Sequence, residues 1–240
     1  DMEVVTCLHG FSQHGGSWEE LAALAGDGRR WLTPDISATT MEGAVGEVLE
    51  LWERGGVSRS HLVGYSQGGR VALYLACTHP ERLLTLTAIG AHAGLEGPAR
   101  GARLEEDLAL AERIQREGVD WFAGYWAARP LFQGLSRRGP AFLERLDQDR
   151  RRNDAGRLAA SLRGLGAGAT PPFWDRLGAI SVPTLLLAGA EDERYVAYAR
   201  RLARAIPQAQ VEIVAGSGHA VHLEQPEATA RLLVHHLSRR

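Results

Sequence analysis

The sequence predicts an α/β protein: a mostly parallel, doubly wound sheet with a helical cap inserted in the middle of the chain. Three observations carry this. Short apolar runs without polar alternation recur, as expected of strands covered on both faces. Patterns of helical period lie between them, and such alternation implies a parallel sheet. Between Gly90 and Pro183 the alternation stops, and only helical stretches remain.

The strands fall at residues 3–8, 31–35, 61–65, 83–90, 183–189 and 210–214. Met41, Val45, Val48, Leu49 and Trp52 share one helical face. Val71, Leu73, Tyr74 and Ala76 belong to a second helix, ended by His79-Pro80. A last helix covers about 226–237. Residues 94–170 are too many for a loop, and Leu104, Leu108, Ala111 and Ile114 form an apolar stripe there. That segment reads as a helical cap on a core made of 1–93 and 171–240. A cap excludes water and supplies substrate contacts.

A chain of 240 residues can bury one sizeable core. A hydrophobic fraction of 45% with 23% charged residues is ordinary for a globular protein. The net charge of −2 points to neither nucleic acid nor a membrane surface. No apolar run is long enough to span a bilayer, and no signal peptide precedes the first strand, so the expected location is cytoplasmic. Cys7 in a core strand and Cys77 in a helix are expected to be buried thiols without metal-ligand spacing. All 27 basic residues are Arg, so every cation is permanently charged and can grip a carboxylate through two parallel hydrogen bonds.

The chemistry centres on Gly64-Tyr65-Ser66-Gln67-Gly68, set between a strand and a helix. A Ser on so sharp a turn exposes its hydroxyl above the sheet. Two later strands run into Glu191-Asp192 and into Gly218-His219. The order Ser, acid, His, each just past a strand's carboxyl end, is that of α/β-hydrolase-fold enzymes, and loops there converge on one crevice. Ser66 alone is a poor nucleophile or base. The His219 imidazole activates it, and a carboxylate behind the imidazole fixes its tautomer. Asp192 is the expected acid from its spacing to Gly189, with Glu191 the neighbouring alternative. Oxyanion donors are expected from the amides of Gln67 and Phe11. His222 is expected to pack structurally, and His9 to shape the Gly10 loop.

Several segments together resemble one family. They are Leu8-His9-Gly10-Phe11-Ser12 with Trp18, then Gly64 to Arg70, then Gly90-Ala91-His92-Ala93-Gly94-Leu95. Arg103 four residues before Asp107 continues the likeness. So do Tyr125-Trp126, Arg129-Pro130-Leu131-Phe132, Arg152-Asn153-Asp154 and the stretch from Gly216 to Glu224. The chain resembles the 2-succinyl-6-hydroxy-2,4-cyclohexadiene-1-carboxylate synthases of menaquinone biosynthesis. The resemblance implies a lyase rather than a hydrolase. Its substrate carries several carboxylates and an enolpyruvyl ether; the triad Ser acts as a base, and pyruvate leaves by elimination. It implies no metal or organic cofactor and a small polyanionic substrate; the charge balance already argues against nucleic acid or a membrane, and monomer and homo-oligomer both stay open.

By the same resemblance Tyr65, Arg70, Arg103 and Trp126 bind substrate. A further family arginine falls in Arg150-Arg151-Arg152; the spacing to Asn153-Asp154 admits Arg150 or Arg151, and Arg151 is assigned. A cap arginine is as readily a solvated cation, and Trp126 as readily cap core. Two departures stand out. The family's Asp-x-Pro-Gly-His-Gly after the second strand is replaced by Asp35-Ile36-Ser37-Ala38-Thr39-Thr40, and the sequence enters its first strand without the family's hairpin. The altered loop leaves a carboxylesterase, thioesterase or carbon–carbon hydrolase as the competing reading. A non-catalytic binding protein on the same scaffold is the third, and the full set of Ser, His and Asp argues against it.

Overall fold

The computed structural model describes residues 2–26 and 28–239. Six strands form one sheet: β1 (Val4–Leu8), β2 (Arg30–Leu32), β3 (Ser60–Tyr65), β4 (Leu83–Ile89), β5 (Thr184–Gly189) and β6 (Ala209–Val214). All pairings are parallel, in the order β2-β1-β3-β4-β5-β6. The chain steps from β1 out to β2, then returns to lay β3 on the other side of β1. In a doubly wound sheet, the ligand crevice lies at such a reversal, outside the carboxyl ends of the strands. β1, β3 and β5 are buried along their whole length, which explains their unbroken apolar character.

β2 is shorter than the predicted 31–35. It lies at the sheet edge and pairs with β1 only from Val4–Arg30 to Thr6–Leu32. Pro34 has no N–H for the ladder, so the chain leaves the sheet there. Beyond it, Asp35 Oδ1 accepts the Gly15 N–H at 2.6 Å, and His9 Nε2 accepts the Ile36 N–H at 3.0 Å. The altered loop is thereby tied to the loop after β1.

Helices α1 (Glu19–Ala25), α2 (Met41–Arg54) and α3 (Gln67–Thr78) precede β4. The predicted stripe of α2 packs inward through Met41, Val45, Val48 and Trp52. Trp52 Nε1 donates to Thr6 Oγ1 at 2.8 Å, which lies 2.9 Å from Ser60 Oγ, so the helix is locked to β1 and β3. Truncating such a Trp costs about 3–5 kcal/mol.

Four helices fill most of the stretch between β4 and β5: α4 (Gly97–Glu117), α5 (Val119–Ala127), α6 (Pro140–Arg151) and α7 (Ala155–Leu165). α4, α5 and α7 share a core of Ala111, Ile114, Phe122, Leu158, Ala159 and Leu162, whereas α6 packs Phe142 and Leu146 against the core on one face of the sheet. The inward face of α4 differs from the expected stripe: Leu108 is exposed, and Asp107 is buried beside Ala111 and Ile114. Positions 107, 111 and 114 fall on one helical face. Arg103 Nε donates to Asp107 Oδ1 at 2.8 Å, and the Gly168 N–H to Oδ2 at 3.2 Å, which satisfies the buried carboxylate. Three helices complete the chain: α8 (Glu193–Ala205), α9 (Val221–Glu224) and α10 (Pro226–Leu237).

Candidate active site

Ser66 joins β3 to α3 with a φ of 52°, in the left-handed region that a side chain disfavours. Such a residue costs on the order of 1–3 kcal/mol and persists only when its surroundings hold it. Here its N–H donates to the Ile89 carbonyl at 2.9 Å, and its carbonyl accepts the Arg70 N–H at 3.0 Å. A Cβ on Gly68 would overlap the Leu8 carbonyl oxygen, so only glycine lets α3 start this close to β1.

Three side chains from three loops form one hydrogen-bonded chain. His219 Nε2 lies 3.0 Å from Ser66 Oγ, and His219 Nδ1 lies 2.9 Å from Asp192 Oδ2. The imidazole is buried. Gly90, at φ 56°, lets the backbone pass under it; a Cβ there would sit 3.0 Å from His219 Cε1. Of the two neighbouring acids, Asp192 reaches the imidazole, whereas Glu191 is exposed and pairs with Arg137. The base loop has its own brace: the Gly218 N–H donates to Glu224 Oε2 at 2.8 Å. Desolvation pushes the Glu224 carboxyl up, against this hydrogen bond. The 3-10 segment Pro130–Arg138 clasps the same loop from above. Arg137 Nη1 donates to the Gly216 carbonyl at 2.6 Å, and Arg138 donates to the Leu223 carbonyl and to Glu20.

Gln67 opens α3, so its amide N–H has no partner within the helix. Phe11 lies in the turn closed by Gln13 N–H to the Gly10 carbonyl at 3.1 Å. Both residues line the cleft that holds Ser66 and His219, a cavity of about 80 Å³. His9 Nδ1 bonds the Gly10 carbonyl at 2.9 Å, so this ring holds the loop's shape. His222 is sandwiched between Trp18, at 4.4 Å, and Tyr65, at 4.5 Å, and burial pushes it down to about 3.

The cleft is rich in arginine. Arg70 is buried, donates to the Leu165 carbonyl at 2.7 Å, and has no partner for its Nε. Burial pushes it down to about 10. Arg103 lines the same wall, held by Asp107. The third cation is Arg150, not Arg151. Arg150 is buried, faces the cleft and lies over the Phe132 ring at 5.7 Å. Arg151 lies on the outer face of α6 and pairs with Asp147 and Asp120. Leu146 also lines the cleft, and Arg150 follows it by four residues, one helical turn on the same face. The four-residue step decides between the two once the packing of α6 on the cleft is known. Trp126 both packs in the cap core, edge-on to Phe11 at 5.3 Å, and lines the cleft. Tyr65 is buried in its floor. One residue escaped the sequence reading: Tyr195, whose ring lies 4.4 Å from His219.

Among the described residues, no cluster of three or more His, Cys, Asp or Glu is placed to hold a metal ion. No described helix is long and apolar enough to cross a membrane. Cys7 and Cys77 are free and buried, and burial pushes the Cys77 thiol up to about 11.

Residues 7–232 match the alpha/beta hydrolase family. An Enterobacter protein named 2-succinyl-6-hydroxy-2,4-cyclohexadiene-1-carboxylate synthase is 33% identical over 94% of this chain and 88% of its own length. A Bacillus subtilis protein provisionally named for the same synthase is 34% identical over 96% of this chain and 89% of its own. Among solved structures, MenH from S. aureus superposes with a TM-score of 0.92 at 27% identity, over 99% of this chain and 94% of that one. A thermophilic esterase from Thermogutta terrifontis gives 0.84 at 28% identity, over 96% and 88%.

Proposed function

The chain belongs to the alpha/beta hydrolase family and, within it, to the 2-succinyl-6-hydroxy-2,4-cyclohexadiene-1-carboxylate synthases, and from that premise we propose how its cleft performs their elimination. The enzyme is a lyase of menaquinone biosynthesis. His219 takes the Ser66 proton, and Asp192 holds the imidazole in the tautomer that can accept it. Ser66 oxygen removes a proton from the substrate ring. The released electron pair forms the ring double bond, and the carbon–oxygen bond to the enolpyruvyl group breaks. The departing enolate takes up a proton and becomes pyruvate. The Phe11 and Gln67 amides stabilise the negative charge that develops in the transition state.

One observation carries this reading over a general hydrolase. Arg70 and Arg150 face the cleft without an ion-pair partner among the described residues. Burying a guanidinium unpaired is expensive, and a substrate with several carboxylates supplies the missing counter-charge. The pyruvate-release assay on wild type and Ser66→Ala tests it. Fast release that collapses in the variant is the expected result. Release that survives the combined Arg70→Ala, Arg103→Ala change overturns it.

A second reading, a serine esterase, draws on the Ser66–His219 distance of 3.0 Å, which suits acyl transfer as well, and on the likeness to the esterase. Capture of an acyl group on Ser66 with an ester substrate would favour it.

A further inference from the structure

Tyr195 is placed by the acid itself. It lies three residues after Asp192, in the first turn of α8, where its N–H faces both the Asp192 carbonyl at 3.0 Å and Asp192 Oδ1 at 3.4 Å. Its ring rests against the His219 imidazole, with centroids 4.4 Å apart and planes tilted by 53°. Tyr198 packs edge-on against its other side at 5.5 Å. The residue lines the same cleft as Ser66, Arg70 and Arg103, and its phenol interacts electrostatically with both guanidiniums. Burial pushes the phenol up, so at neutral pH it is a donor.

No hydrogen bond within the described residues uses that hydroxyl, although a tyrosine so enclosed usually has a partner for it. The neighbouring arginines cannot serve, because a guanidinium offers donors and no acceptor, and Asp192 Oδ2 is already taken by His219. The Nε of Arg70 is without a partner too. Two donors without a protein partner, the Tyr195 hydroxyl and Arg70 Nε, therefore belong to residues that line the cleft beside Arg103. An anion with at least two oxygens suits this set of donors.

We propose that Tyr195 is a substrate-binding residue: its phenol donates to the carboxylate gripped by Arg70 and Arg103. Because the same ring touches His219, this contact sets the distance between that carboxylate and the base. A substrate lacking the carboxylate loses both its anchor and its register over Ser66. The identity of the carboxylate rests on the lyase reading above; the presence of an anion site does not.

Tyr195→Phe removes the hydroxyl and keeps the ring. Two measurements on this variant and wild type separate the possibilities: pyruvate release, and calorimetric titration with succinate, a dicarboxylate that stands in for the substrate's acid arm. Succinate affinity is expected to fall by roughly ten- to a hundredfold, the loss for one hydrogen bond to a charged group. KM rises by a similar factor, and the pH profile of kcat stays in place because the ring still braces His219. Tyr195→Leu, which removes the ring as well, lowers kcat and moves that profile. Unchanged succinate affinity and KM in Tyr195→Phe overturn the proposal. If wild type releases no pyruvate but succinate binding still weakens in Tyr195→Phe, the lyase reading fails and the anion site stands.

Discussion

Replacing Arg70 with Met should make the protein more stable and nearly inactive. The guanidinium is buried, and burial pushes it down to about 10. At about 1.4 kcal/mol for each pH unit of that depression, holding this charge in the fold costs on the order of 3 kcal/mol. Methionine fills a comparable stem volume with no charge. The substitution forfeits the hydrogen bond to the Leu165 carbonyl, about 1.5 kcal/mol, but that oxygen keeps Gln67 Nε2 at 3.4 Å. The net gain is about 1–2 kcal/mol, or a Tm higher by roughly 2–6 °C for a chain of this size. The assay is thermal and urea unfolding at pH 7 without ligand. The pH dependence has a definite sign. Below about pH 9 both folded and unfolded wild type carry the charge, and its cost is constant. Above about pH 10 the folded form sheds the proton while the unfolded form keeps it, so wild type gains stability and the gap to Arg70→Met closes. A variant less stable than wild type by 1 kcal/mol or more at pH 7, or a gap that persists to pH 11, refutes the reasoning.

Asp192→Asn keeps the fold but presents the wrong tautomer to Ser66, and pyruvate release should fall by roughly 10³–10⁴, measured in single-turnover assays. His222 contributes no hydrogen bond and is held neutral between Trp18 and Tyr65. Because its folded form resists protonation down to about pH 3, wild type should lose up to about 4 kcal/mol as pH falls from 6.5 toward 3. His222→Phe should flatten that acid limb in urea titrations, with stability at pH 7 within about 1.5 kcal/mol of wild type.

The parts legible in the sequence are those set by local rules. β3, Ser66 and α3 follow from an apolar run, two glycines and a helical pattern within fourteen residues or so. Asp192 and His219 follow from strands that end just before them. The misses have a common cause: the sequence shows which residues a helix contains, not which face meets a neighbour. The stripe on α4 was drawn through Leu108, but Asp107 turns inward because Arg103 pairs with its charge there and the Gly168 N–H donates to its second oxygen. Arg151 satisfied the spacing to Asn153 as well as Arg150 did; only the packing of α6 on the cleft separates them. Tyr195 carried no motif. Its place depends on Asp192 fixing the first turn of α8, a contact between the acid and the helix it opens. The early end of β2 was visible in principle, since Pro34 forbids a ladder bond.

The clasp of Arg137 and Arg138 over the base loop joins parts of the site that lie far apart in the sequence. The segment that roofs the cleft cannot lift along this edge without releasing the carbonyls of Gly216 and Leu223, on either side of His219, and the Glu191 carboxylate next to Asp192. The roof of the cleft and the loops that carry Asp192 and His219 are thereby held as one piece, so the residues over the substrate and the residues that act on it share one set of supports.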